Sequence, residues 1–248
     1  MKRWLGSALW LFAACAGTET GNPSFTGALG YDAYSSSSKI ALQGSALEGT
    51  DALEVQSAWL VLGNVSFVTQ AECPSKAPVE HPVPGIGAGD HVAGQAPQSE
   101  LMLDSGRYCA VLLPIAPADS VKPDIPAELV GHSLWVRGRL PDGRAFELRS
   151  ALDRALSLRA AENFELDAAH PDVVIGFDVG IWLEGIDTLQ VEADADGSIL
   201  ADETHNPELL DRFESQVLKG VGLFRDRDGD GLMDASPTLL ARGTPETD

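Results

Sequence analysis

Between Leu134 and Arg149 the chain reads LWVRGRLPDGRAFELR, two alternating segments joined by Pro141-Asp142-Gly143. Proline presets φ for a turn, and Asp-Gly takes the positive-φ positions that a short hairpin requires. This stretch has to fold back on itself as antiparallel strands. Arginine and glutamate interspersed on one parity suit a sheet that is wet on one face. A chain built this way is constrained toward β structure, and the rest of the sequence repeats the same pattern of short apolar runs cut by glycine and proline.

Phe25 to Tyr34 and Lys39 to Gln43 are strand-like and joined by four serines, Ser35 to Ser38. From Leu53 to Val68 the apolar phase changes twice, which fits two strands broken near Gly63-Asn64 or one long bent strand and does not fit helical spacing. Residues 71–98 hold five prolines and four glycines and are expected to form an irregular surface loop. Arg107 to Ile115 is an apolar strand. Leu152 to Arg159 and Phe164 to Leu166 continue the meander, although Ala151 to Ala161 also suits a short helix. Val173 to Leu183 alternates throughout and is the strongest strand. Many short strands of this kind predict a mainly β protein, an antiparallel β-sandwich of immunoglobulin-like or related type.

One amphipathic helix is expected near the C-terminus. Asn206 is placed to cap it, Pro207 occupies the first helical position, and Glu208 suits the positive end of the dipole. Leu209, Leu210, Phe213, Val217 and Val221 fall on one stripe, predicting a helix over about 207–220. Residues past Ala235 have little to bury and are expected to fray.

The N-terminus carries a different message. Lys2 and Arg3 form a positive region, Trp4 to Phe12 an apolar one, and Ala13-Ala14-Cys15 a small-residue cleavage site ending on cysteine, the pattern of a lipoprotein signal peptide. The apolar run is shorter than the ~20 residues that span a bilayer. The expected organisation is a signal peptide over 1–14, a tether from lipidated Cys15 to Ser24, a β-sandwich body over 25–225 that includes the helix, an acidic loop over 226–234 and a tail over 235–248. Cleavage before Cys15 removes two positive charges and takes the net charge from −20 to −22. That acidity repels nucleic acid and anionic surfaces and attracts cations. With Cys15 acylated, Cys73 and Cys109 remain as an even pair in an oxidising compartment, and a disulfide is expected.

Thr18-Glu19-Thr20-Gly21-Asn22-Pro23 resembles the TETGNP tract that follows the lipidated cysteine in uncharacterised outer-membrane lipoproteins of myxobacteria and their relatives. Ala58 to Leu62, Gly106 to Cys109, Phe177 to Gly180, Asn206 to Leu210 and the Asp226 to Asp234 loop extend the resemblance. It implies a β-rich protein of the cell envelope and no catalytic residues. Ala16 after the cysteine, by resemblance to proteobacterial lipoproteins, favours the outer membrane.

Directly after the expected helix comes DRDGDGLMD, residues 226–234. Calcium takes six to eight hard oxygens, and carboxylates on alternate residues of a tight loop converge on one ion. Asp226, Asp228 and Asp230, the Leu232 carbonyl and Asp234 are the expected ligands, with Gly231 making the turn. The loop resembles those of EF-hands, dockerins and thrombospondin-type repeats, with the preceding helix standing where an EF-hand has its entering helix. It departs from them at the twelfth place, where Pro237 replaces a bidentate glutamate, so a distant carboxylate is needed to complete the shell. Glu192 to Glu203 offers a weaker candidate, with Asp194, Asp196 and Glu203 as ligands around Gly197.

GxSxG, HExxH, Walker and CxxC motifs are absent, and the five histidines show no ligand spacing. The leading expectation is a non-enzymatic, membrane-anchored envelope protein with a structural calcium and a structural, adhesive or ligand-binding role toward an envelope or extracellular partner. Two alternatives stand beside it: a transition-metal or small-ligand carrier using His81 and His91, and an envelope hydrolase whose site is assembled only by the fold. Asp178, a single carboxylate on an apolar element, is expected to pair with an arginine or face solvent.

Overall fold

The computed structural model describes residues 22–43, 52–73, 80–83, 85, 87–92, 98–120, 125–186 and 191–244. The signal peptide, Cys15 and most of the tether lie outside the described residues. Strands dominate, and they form one continuous mixed sheet of 15 strands with few helices.

Near one end of its path lies the hairpin of β9 (Leu134–Arg139) and β10 (Ala145–Ser150), in register from Ala145↔Arg139 to Ser150↔Leu134. Gly143 turns it at φ 87°. β3 (Leu53–Leu62) pairs with β9 and touches β8 (Gly106–Ile115) through one register pair, Leu62↔Ile115. β4 (Val65–Thr69) then pairs with β8, so the expected break at Gly63-Asn64 separates two strands. β11 (Arg154–Leu166) runs antiparallel to β8 as one long strand with an irregularity between Arg159 and Phe164, and not as a helix. Beyond it, β15 (Thr238–Thr244), β14 (Val221–Arg225), β12 (Val173–Asp178), β1 (Ser24–Tyr34) and β7 (Gln98–Asp104) continue the path.

Pairing is not purely antiparallel. β1 runs parallel to β12, β2 (Ile40–Leu42) to β3, and β13 (Ile199–Ala201) to β10. Alternation places Leu29, Tyr31, Val173, Ile175, Phe177, Leu223, Val111 and Leu113 in one apolar core with the inward residues of the remaining strands.

Several further expectations are corrected. The proline-rich stretch contains β5 (Glu80–Val83) and β6 (Gly87–Asp90). Each pairs with one strand, β4 and β3 respectively, so Pro82 is accommodated at a sheet margin. The strand at Val173 stops at Asp178 and turns into α1 (Val179–Trp182), because the Asp178 carboxylate accepts hydrogen bonds from the Ile181 N–H at 3.3 Å and the Ser36 N–H at 3.1 Å. Asp178 is 3 % exposed and serves as a cap, neither facing solvent nor paired with an arginine. The end of the chain does not fray before Thr244, since β15 is clamped between β14 and β11.

α2 (Pro207–Val217) is the expected amphipathic helix, burying Leu209, Leu210, Phe213 and Val217, each worth roughly 1.5–3 kcal/mol. Val221 belongs to β14, not to the helix. Asn206 adopts φ 48° and makes no side-chain cap bond, its backbone carbonyl accepting from the Leu209 and Leu210 N–H groups. Its side chain instead pins the preceding turns, accepting from the Glu192 N–H and donating to the Glu192 and Leu200 carbonyls. A disulfide joins Cys73, just past β4, to Cys109 on β8, with their Cα atoms 6.2 Å apart. Among the described residues no helix is long and apolar enough to cross a membrane.

Candidate metal centre

The acidic segment connects β14 to β15. It follows a strand and not the helix, so the local arrangement is strand–loop–strand and the expected EF-hand entering helix is absent from it. Asp226, 4 % exposed, organises the turn. Its Oδ1 accepts from the Gly229 N–H at 2.8 Å and its Oδ2 from the Gly231 N–H at 2.9 Å. Gly229 and Gly231 stand at φ 72° and 79°, a region costly to residues with a Cβ. Asp230 accepts from the Leu232 N–H, and its carbonyl accepts from the Gln98 side chain on β7 at 2.7 Å.

The loop is anchored by buried Asp226 and Gly231, with residues 227–230 exposed. It lies as a strap along the face of β1 and β12 turned away from the core, over Gly30 and Gly176. A Cβ on Gly30 would collide with the Gly231 carbonyl oxygen, and one on Gly176 would stand 2.9 Å from Met233 Sδ. Gly222 pairs with Gly176 and would meet Phe224 at 2.8 Å. Tyr34 and Phe224, edge to face with centroids 6.1 Å apart, flank the trough. The Met233 N–H donates to Asp32 Oδ2 on β1 at 3.0 Å, and Arg227 ties the strap to Thr238.

In this setting ligand oxygens of Asp226, Asp228 and Asp230 lie within 4.8 Å of one another, the first buried and the other two exposed. Three like charges at that spacing repel by about 1 kcal/mol per pair even in bulk water. A bound cation removes that cost, and the hard-oxygen donor set fits calcium. Two acidic residues that sequence reasoning missed stand beside the strap. Burial raises the Asp32 carboxyl above its ordinary range; the Met233 and Ala33 N–H groups oppose this, and Asp230 reinforces it. Asp172 accepts from the Ala28 N–H at 2.7 Å, and its Oδ2 lies 3.4 Å from where a Gly229 Cβ would be. Neither is near the loop in sequence, so only the fold can supply them. Asp234 is not in the close group, and its Oδ2 is inaccessible with no hydrogen-bond partner. Leu232 is 42 % exposed.

The other sequence candidates are not gathered in this way. Asp194, Asp196 and Glu203 form no comparable group among the described residues. The first two belong to a tight turn at Gly197, where the Ser198 N–H and hydroxyl donate to Asp196. His81 and His91 occupy different surroundings: His81 lines an open cleft beside Arg107, while His91 is 7 % exposed and packs against the Phe177 ring with centroids 4.9 Å apart. Asp202, Thr204 and His205 lie together on the surface, yet both partners contact the same ring nitrogen, Nδ1. A catalytic relay needs the acid and the hydroxyl on opposite nitrogens.

The fold and this site together define a mainly β protein with an acidic, cation-type strap across its sheet. No family model matches the sequence, and no curated protein matches it. Among solved structures, the chain is similar to MbnP from Methylosinus trichosporium, at 10% identity and a TM-score of 0.39, over 75% of this chain and 87% of that one.

Proposed function

We propose that the protein is a non-enzymatic lipoprotein of the bacterial envelope, anchored to the outer membrane through Cys15, whose β-sandwich body carries one structural calcium ion in the strap. Its role is structural, adhesive or ligand-binding. The observation that carries the calcium reading is the convergence of Asp226, Asp228 and Asp230 within 4.8 Å on a backbone shaped by two left-handed glycines. The folding of the sheet into two layers belongs to the same reading and is supported by the single register pair joining β3 to β8 over a common core. The Cys73–Cys109 disulfide is the kind of cross-link that persists outside the cytosol.

Calcium titration of the unlipidated body, followed by calorimetry and thermal melting, tests the site. Saturation at about 100 times Kd stabilises a protein by about 2.7 kcal/mol, which for a chain of this size raises Tm by roughly 5–10 °C. Asp228→Ala and Asp230→Ala should abolish the rise. An equal rise in those variants, or none in the parent at millimolar calcium, removes the calcium reading.

A further inference from the structure

The body has a defined point of departure for its N-terminal tether. Pro23 O accepts from the Ser105 N–H at 2.8 Å, and Ser24 pairs with Asp104, so the chain leaves beside the β7–β8 connection. Cys15 is seven residues before Asn22, a reach of at most about 25 Å when fully extended. At this end lies an open cleft of about 770 Å³, lined by Asn22, Gln70, His81, Asp104, Arg107 and Tyr108. Arg107 is exposed and makes no salt bridge among the described residues. Two residues before Asp104 stands Met102, which at 64 % is the most exposed large apolar side chain described.

Building on the lipid-anchor reading, we infer that this end of the body rests on the bilayer, with a phospholipid phosphate in the cleft against Arg107 and Met102 in the headgroup–acyl boundary. The cleft presents the Arg107 cation and neutral donors alongside the Asp104 carboxylate. A guanidinium binds phosphate oxygens through paired N–H donors, and the Asn22 and Gln70 amides and the His81 ring add donors around it. An exposed thioether beside a cation matches the interface, where apolar groups enter a few ångströms while charged heads stay with the phosphates. The remainder of a body with net charge −22 is repelled by an anionic leaflet. The short tether keeps the cleft at high effective concentration near lipid, so an individually weak contact suffices to orient the protein.

The test uses the full lipidated protein, with the acyl mass on Cys15 verified, in phosphatidylethanolamine–phosphatidylglycerol vesicles containing brominated lipid. Met102→Trp should add tryptophan emission that the brominated lipid quenches, above the background of the parent tryptophans. Leu239→Trp, at an exposed apolar site on the strap face, should add emission that is not quenched. Arg107→Glu in the Met102→Trp background should relieve the quenching. Acylated protein in which Met102→Trp is quenched no more than Leu239→Trp, or in which Arg107→Glu changes nothing, overturns this orientation and leaves the anchor standing. Protein without acyl mass at Cys15 overturns the anchor and the orientation together.

Discussion

His91 is buried where an imidazole is costly to protonate. The ring lies on Phe177, and burial pushes its pKa from 6.5 down to about 4, with the charge of Asp90 and a hydrogen bond to the Tyr31 backbone opposing the shift. The unfolded chain takes up the proton first on acidification, so stability is full above pH 6.5 and declines from there to about pH 4, below which both states are charged. The gap corresponds to about 3 kcal/mol. Urea unfolding at a series of pH values should show this slope, and His91→Phe should flatten it between pH 6.5 and 4. Asp226 offers a second test at the same scale. Its carboxylate accepts from two backbone N–H groups of the loop itself. Asp226→Ala should cost about 1–3 kcal/mol in calcium-free buffer by leaving these donors unmet, whereas Asp228→Ala, at an exposed position, should cost little there and matter only when calcium is added.

The strap depends on an absence of side chains beneath it. Gly30→Ala drives a Cβ into the Gly231 carbonyl, and the resulting shift should lower stability by about 1–3 kcal/mol and weaken calcium binding as the loop lifts from β1. Denaturant unfolding and a calcium titration of the same variant check both outcomes. Elements of this kind also show what can be read from sequence. The β9–β10 hairpin was legible because Pro141, Asp142 and Gly143 determine it locally, and α2 because its apolar stripe and Pro207 lie within one segment. The end of β12 was not, since Asp178 becomes a cap partly through the Ser36 N–H, 142 residues away. Nor was β15, whose short apolar pattern gains a place only between β14 and β11. Of the candidate metal centre, the spacing of the three aspartates was visible, while Asp32 on β1, Asp172 just before β12 and the glycines under the strap are brought beside it by the fold.

At the scale of the molecule, the Cys73–Cys109 disulfide closes a loop with a separation of 36 residues that includes the proline-rich stretch. The chain-entropy relation gives about 3–4 kcal/mol for it. Replacing both cysteines by serine should lower the unfolding free energy by about that amount, and adding reductant should then no longer shift the urea midpoint. The parallel pairing of β1 with β12 bears on a different matter, the order of events at birth. Leu29 meets Val173, and β7, the other neighbour of β1, is too short to cover it alone. β1 therefore stays without its parallel partner until the chain as far as Asp178 has emerged into the compartment where it folds. The first strand of the chain thus cannot be fully paired before β12 has emerged.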